Sequence, residues 1–125
     1  MEKTILIDGR ELKFKATAST PRVYRQAFGR DLFVDINSLI TGISAEADIP
    51  VDCLDAFENI AYCLNMQAEG VKLERENIEE KMSEWLDQFE TFSVYHIFPK
   101  IMELWRANTE QTVEPKNPQA RQTDQ

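Results

Sequence analysis

Val51-Asp52-Cys53-Leu54-Asp55-Ala56-Phe57-Glu58-Asn59-Ile60-Ala61-Tyr62-Cys63-Leu64-Asn65-Met66-Gln67-Ala68-Glu69-Gly70 is the stretch on which the reading of the fold turns. Leu54, Phe57, Ala61, Leu64 and Ala68 step by three and four, the spacing of one helix face, and Gly70 stands where a left-handed C-terminal cap belongs. The spacing predicts one long helix over residues 51–69. Cys53 and Cys63 then lie about 15 Å apart along its axis and cannot pair. They are expected as reduced, semi-buried core thiols, and with no histidine nearby they make neither a zinc site nor a nucleophile.

Downstream, Asn77 with Glu80 three residues on has the form of a capping box, and Ile78, Met82, Trp85, Leu86 and Phe89 mark a further amphipathic helix. Val94, Ile97, Phe98, Ile101, Leu104 and Trp105 mark a last one over residues 92–108, bent or split at Pro99. After Trp105 the only large apolar residue is Val113, and residues 111–125 have the composition of a disordered tail. One α-rich domain is expected over residues 1–110.

Upstream, Thr4-Ile5-Leu6-Ile7 and Arg10-Glu11-Leu12-Lys13-Phe14-Lys15-Ala16 flank Asp8-Gly9, which reads as a β-hairpin with Leu12, Phe14 and Ala16 on an apolar face. A lone two-stranded ribbon must lay that face on something else, here the helices. Ser19 or Thr20 before Pro21 starts a helix that runs toward Phe28 and Gly29, the hydroxyl capping free amides. A short helical piece follows from Asp31 and ends near Thr41-Gly42, before a loop with Asp48 and Pro50. The expected fold class is therefore mainly α: an N-terminal β-hairpin packed on a bundle of about four to five helices, with a disordered C-terminal tail.

Apolar residues make up 42 % and charged residues 29 % of the 125, proportions of a globular chain that folds. No apolar run approaches the ~18 residues of a membrane span, and the first residues lead into an alternating pattern instead of a secretory block. A cytoplasmic protein is expected. The net charge of −8 is uneven: residues 1–30 carry seven Lys or Arg against three Asp or Glu, residues 31–125 seven against nineteen. An acidic body repels phosphate backbones and headgroups, which argues against nucleic-acid and membrane partners.

His96 has no serine, cysteine or carboxylate at triad spacing and reads as a helix-boundary histidine with one edge in water. Asp52, Asp55, Glu58 and Asn59 could gather around a cation, but the helix macrodipole explains acids in a first turn without any metal. Glu74, Glu76, Glu79 and Glu80 read as a solvated edge. Arg22, Arg25 and Arg30 with Tyr24 between them form the best basic cluster, suited to an acidic partner or, equally, to local pairing with Asp31 and Asp35. The chain carries no Walker loop, dinucleotide fingerprint, zinc ligand set or nucleophile elbow, so no enzyme activity, metal or cofactor is expected.

Three segments taken together resemble the tail assembly chaperones of long-tailed phages and prophages of Gram-positive bacteria. They are residues 18–31 (Ala-Ser-Thr-Pro-Arg-Val-Tyr-Arg-Gln-Ala-Phe-Gly-Arg-Asp), Phe57-Glu58-Asn59-Ile60-Ala61-Tyr62, and Trp85-Leu86-Asp87 through Phe92 to Glu103-Leu104-Trp105. Their order and spacing extend the likeness over about residues 3–113. The resemblance implies a protein that acts in the host cytoplasm, binds the long helical tape measure protein, keeps it soluble, promotes polymerisation of the tail tube around it and is absent from the mature virion. It also implies a longer form made by ribosomal frameshift that engages the tail tube protein; Pro115-Lys116-Asn117 is compatible with a slippery A AAA AAC heptamer. The candidate partner-binding residues are Arg22, Tyr24, Arg25 and Arg30, with Phe98 and Trp105 wherever the last helix leaves them exposed; core packing is the competing reading, favoured for Trp105. The opposite charges of the two halves permit head-to-tail self-association. The rival functions are a structural tail component of terminator or connector type and a small DNA-binding regulator acting through the helix at residues 22–30.

Overall fold

Asp8 and Gly9 both take positive φ, 55° and 77°, the requirement of a two-residue primed turn whose twist matches that of paired strands. They reverse the chain between β1 (Glu2–Ile7) and β2 (Arg10–Lys15), with Ile5 opposite Leu12 and Ile7 opposite Arg10. The computed structural model describes residues 1–44 and 49–112. Ile5, Ile7, Leu12 and Phe14 are buried, so the hairpin lays its apolar face on the helices. Its tip is tied to residues 88–90, some eighty positions along the chain. Arg10 donates to the Gln88 carbonyl (3.2 Å) and lies 5.8 Å from the Phe89 ring centroid, while the Glu90 amide donates to Asp8 (3.0 Å).

Five helices follow among the described residues: α1 (Thr20–Phe28), α2 (Leu32–Ser44), α3 (Val51–Glu69), α4 (Ile78–Leu86) and α5 (Val94–Thr112). α1 has Pro21 in its first turn and stops at Gly29, whose φ of 68° lets its amide return to the Arg25 carbonyl at 2.8 Å. Neither Ser19 nor Thr20 caps it through a side chain, a correction to the expectation. Thr20 is fully buried instead; its hydroxyl oxygen accepts from the Thr17 amide (2.8 Å) and its proton goes to Gln67 on α3. The cap expected at Asn77 is also missing. A 3₁₀ turn at Arg75–Asn77 leads straight into α4, and the Asn77 side chain turns back to Glu74 (3.4 Å). α5 runs unbroken through Pro99 and extends two residues past the domain boundary expected at 110. The tail over residues 113–125, with Pro115-Lys116-Asn117, lies outside the described residues, as does Asp48.

α3 is the central element. Ile60 to Asn65 are six consecutive buried residues, so this half is covered on every side, as a helix between layers must be. Phe57, Ala61 and Leu64 of the expected face are buried, but Leu54 is exposed, and Cys53 and Ala56 turn inward beside Phe57 in the first turns. The buried Asn65 joins three elements, donating to the Lys13 carbonyl of β2 (2.7 Å) and accepting from Trp85 Nε1 of α4 (2.8 Å). Trp85 stands at the centre of an aromatic cluster, edge-on to Tyr62, Phe89 and Phe92 at 5.2 to 5.4 Å. Both cysteines are free and buried, Cys63 completely, and burial pushes the Cys63 thiol up to about 12, which leaves it inert.

α2 does not end at Thr41-Gly42. It continues because Gly42 serves contact and not termination: a Cβ there would meet Cys53 Sγ at 2.6 Å. Gly42→Ala gains roughly 1 kcal/mol of helix propensity but overpacks this crossing by about 1–3 kcal/mol. The expected outcome in urea unfolding is net destabilisation that disappears in Gly42→Ala/Cys53→Ala, where the sulfur is gone. Equal losses in both backgrounds would show that the crossing is not tight.

Candidate protein-binding surface

The six candidate partner residues separate into three groups. Arg22 and Arg25 are exposed on α1 and have no ion-pair partner among the described residues. Tyr24, Phe98 and Trp105 are core residues, because α1 and α5 each turn their apolar side inward and these rings lie on it; that corrects the reading of Tyr24 and Phe98 as contacts and agrees with the core packing favoured for Trp105. Arg30 is half-exposed but already engaged. Its guanidinium forks onto Asp35 of α2 through Nε (2.9 and 3.1 Å) and Nη2 (2.7 Å), and the buried Tyr24 hydroxyl donates to the same carboxylate at 2.6 Å. Of the two local partners considered, Asp35 is the one realised. Asp31 instead caps α2, accepting from the Phe33 and Val34 amides at 2.8 and 3.2 Å.

The electrostatics of this clamp follow from burial. Burial is the largest influence on the Tyr24 hydroxyl and, with the Asp35 carboxylate, raises its pKa well above the ordinary value. For Asp35 burial also acts upward, but hydrogen bonds from Arg30 and Tyr24 together with the Arg30 charge outweigh it and hold the carboxyl below the usual range. The clamp fixes α1 against α2 and with it the orientation of α2.

That orientation exposes a surface that sequence reading did not single out. α2 is the most apolar of the five helices, and its one charged residue, Asp35, is buried. Its exposed side chains are Phe33, Val34, Asn37, Ser38, Ile40 and Thr41, none of them charged. Phe33 and Val34 are each more than half exposed, at 52 and 55 %. A shallow groove runs along either flank. One, of about 490 Å³, lies between Val34, Ser38 and Thr41 on one side and Pro50 and Cys53 on the other. The second, of about 300 Å³, lies between Phe33, Ile36 and Ile40 and the α5 residues Met102, Trp105 and Arg106. Asn37 borders both. Trp105 therefore contributes as a groove wall, edge-on to Phe33 at 5.6 Å, although it is buried. The signal was present in the chain as ten residues, 36–45, without a charge in a sequence that is 29 % charged.

Two other concavities carry less. Asp52, Asp55, Glu58 and Asn59 do share one cleft, with Arg30 and Glu79. Burial, then Asp55, raises the Glu58 carboxyl, and no group among the described residues is arranged to hold a metal ion. A groove of about 370 Å³ over Tyr62 and Trp85 is rimmed by Lys72, Lys81, Glu74 and Glu84. His96 is exposed on the first turn of α5. No described helix is long and apolar enough to cross a membrane. Comparison with protein-family models, with curated proteins and with solved structures finds no match for the chain.

Proposed function

We propose that this protein is a tail assembly chaperone of a long-tailed phage or prophage, which binds the helical tape measure protein, keeps it soluble and promotes tail tube polymerisation around it. The observation that supports this reading best is the uncharged outer face of α2 on a chain of net charge −8. An extended apolar helix without its tube aggregates; a partner that covers it with an apolar face and brings an acidic exterior supplies both shielding and like-charge repulsion between complexes. The three segments that resemble this family contribute to the fold that displays the face. Residues 18–31 contain Tyr24, Arg30 and the Asp31 cap, and the two later segments contain Phe57, Trp85 and Trp105 of the core.

Co-expression with the tape measure protein of the same phage or prophage tests the reading. The expected result is a soluble tape measure protein that co-purifies with this chain, and purified virions free of it. An insoluble tape measure protein with this chain left unbound, or the chain retained in virions, would overturn the proposal and favour a structural tail component.

A further inference from the structure

We infer that a row of three arginines on the outer side of α1 docks onto a row of three carboxylates along α4 of a second copy of this chain, a head-to-tail contact that does not depend on the chaperone reading. α1 buries Thr20, Tyr24 and Ala27, so Arg22, Arg25, Gln26 and Gly29 share its solvent side. The row does not end at Gly29. Having no side chain, Gly29 leaves space that the Arg75 guanidinium occupies: a Cβ there would lie 2.6 Å from Arg75 Nη2. Three exposed arginines therefore stand along α1 at the levels of residues 22, 25 and 29, and none has an ion-pair partner among the described residues. Glu74, beside Arg75 in sequence, accepts from Asn77 instead.

α4 carries the complement. It buries Ile78, Met82 and Trp85, so its opposite side holds Glu80, Ser83 and Glu84; Asp87 continues that side, its amide bonded to the Ser83 carbonyl at 3.0 Å. Lys81 comes within 4.0 Å of Glu84, an exposed contact of little strength, and Glu80 and Asp87 have no ion-pair partner among the described residues. Spacing selects the second copy as the occupant. From Arg22 the bases step by three and then four; from Asp87 back to Glu80 the carboxylates step by three and then four. Laid antiparallel, two rows each ~10 Å long bring Arg22 to Asp87, Arg25 to Glu84 and Arg75 to Glu80, with the uncharged Gln26 and Ser83 at the centre. The repulsion between two bodies of net charge −8 is screened beyond ~8 Å at physiological salt, whereas the rows attract at contact. One chain offers one row of each sign, so the contact is heterologous. Exposed ion pairs are individually weak, so the association is one to capture covalently.

Gln26→Cys and Ser83→Cys each place one exposed thiol within a row, while the native Cys53 and Cys63 are buried. The two full-length variants are mixed with a short bismaleimide and the covalent dimer is measured, wild-type chain serving as the control for the native cysteines. The mixed dimer is expected to exceed the dimer of either variant alone at least ~10-fold, because each row meets the other and not itself. Arg25→Glu added to the Gln26→Cys chain should cut the yield at least ~10-fold, and Glu84→Arg added to the Ser83→Cys chain should restore it, which separates a broken contact from a misfolded chain. Raising salt from about 0.1 to about 1 M shortens the screening length from ~10 to ~3 Å and should lower the yield ~5-fold. Equal yields from the mixture and the single variants, no effect of Arg25→Glu, a loss that Glu84→Arg does not restore, or a yield indifferent to salt would each overturn the inference. The tape measure co-expression reports on the chaperone reading alone and leaves this contact untouched.

Discussion

Trp85→Ala is expected to lower the free energy of unfolding by about 4 kcal/mol, the largest effect of any single substitution considered for this chain. The residue is 7 % exposed and joins α4 to α3 through Tyr62 and to the connection between α4 and α5 through Phe89 and Phe92. Truncation removes most of that apolar area from the core and leaves a cavity that three rigid aromatic neighbours cannot close. It also strips Asn65 Oδ1 of its donor while Asn65 remains anchored to Lys13. Trp85→Phe separates the two contributions, since it keeps most of the packing and loses the N–H; a cost of about 2 kcal/mol is expected. Because small domains have only about 5–15 kcal/mol in total, the alanine variant should unfold at markedly lower urea with an unchanged slope. A loss below about 1 kcal/mol would show that the junction is not held through this residue.

Arg30→Ala is expected to cost about 3 kcal/mol at neutral pH, and less as the pH falls. The arginine is more than half exposed, but the carboxylate it serves is not: Asp35 is 1 % exposed, and without Arg30 it keeps only the Tyr24 hydroxyl. In the wild-type protein the Asp35 pKa is depressed on folding, so the clamp contributes fully above the unfolded value near 3.9 and its contribution is lost as pH drops through the folded pKa. In the variant burial dominates and raises the folded pKa. The penalty is then greatest where Asp35 must stay ionised and shrinks as it takes up a proton. Unfolding midpoints of the two proteins, compared from pH 7 to pH 3, should therefore converge. A constant gap would mean that Asp35 is not the group through which Arg30 acts.

Local signals carried most of the architecture. Asp8-Gly9 between alternating strands, Gly29 and Gly70 at positive φ, and the apolar spacing around Phe57 are each read from a few neighbouring residues, and the mainly α fold with its N-terminal hairpin follows from them. What escaped depends on contacts between distant residues. Gly42 looked like a helix end because glycine ends helices; only Cys53, eleven residues on, shows that it is a crossing point. Thr20 looked like a cap, yet its partner is Gln67. Leu54 fits the period of α3 but falls on the one side of its first turns that nothing covers.

The candidate site was legible in the same uneven way. Aromatic and basic side chains drew notice because they dominate interfaces, but Tyr24, Phe98 and Trp105 are buried and Arg30 is bound to Asp35. The face of α2 is marked by missing charges, a weaker signal in one dimension. Its meaning depends on knowing which of its apolar residues the core has already taken.

Amide hydrogen exchange of this protein, alone and with the tape measure protein proposed as its partner, decides whether the outer face of α2 is the contact surface. Slowed exchange is expected to concentrate over residues 32–43, with weaker protection at 51–54 and 102–106, beside the two grooves. Protection confined to α1 around Arg22 and Arg25, with residues 32–43 unchanged, would contradict it.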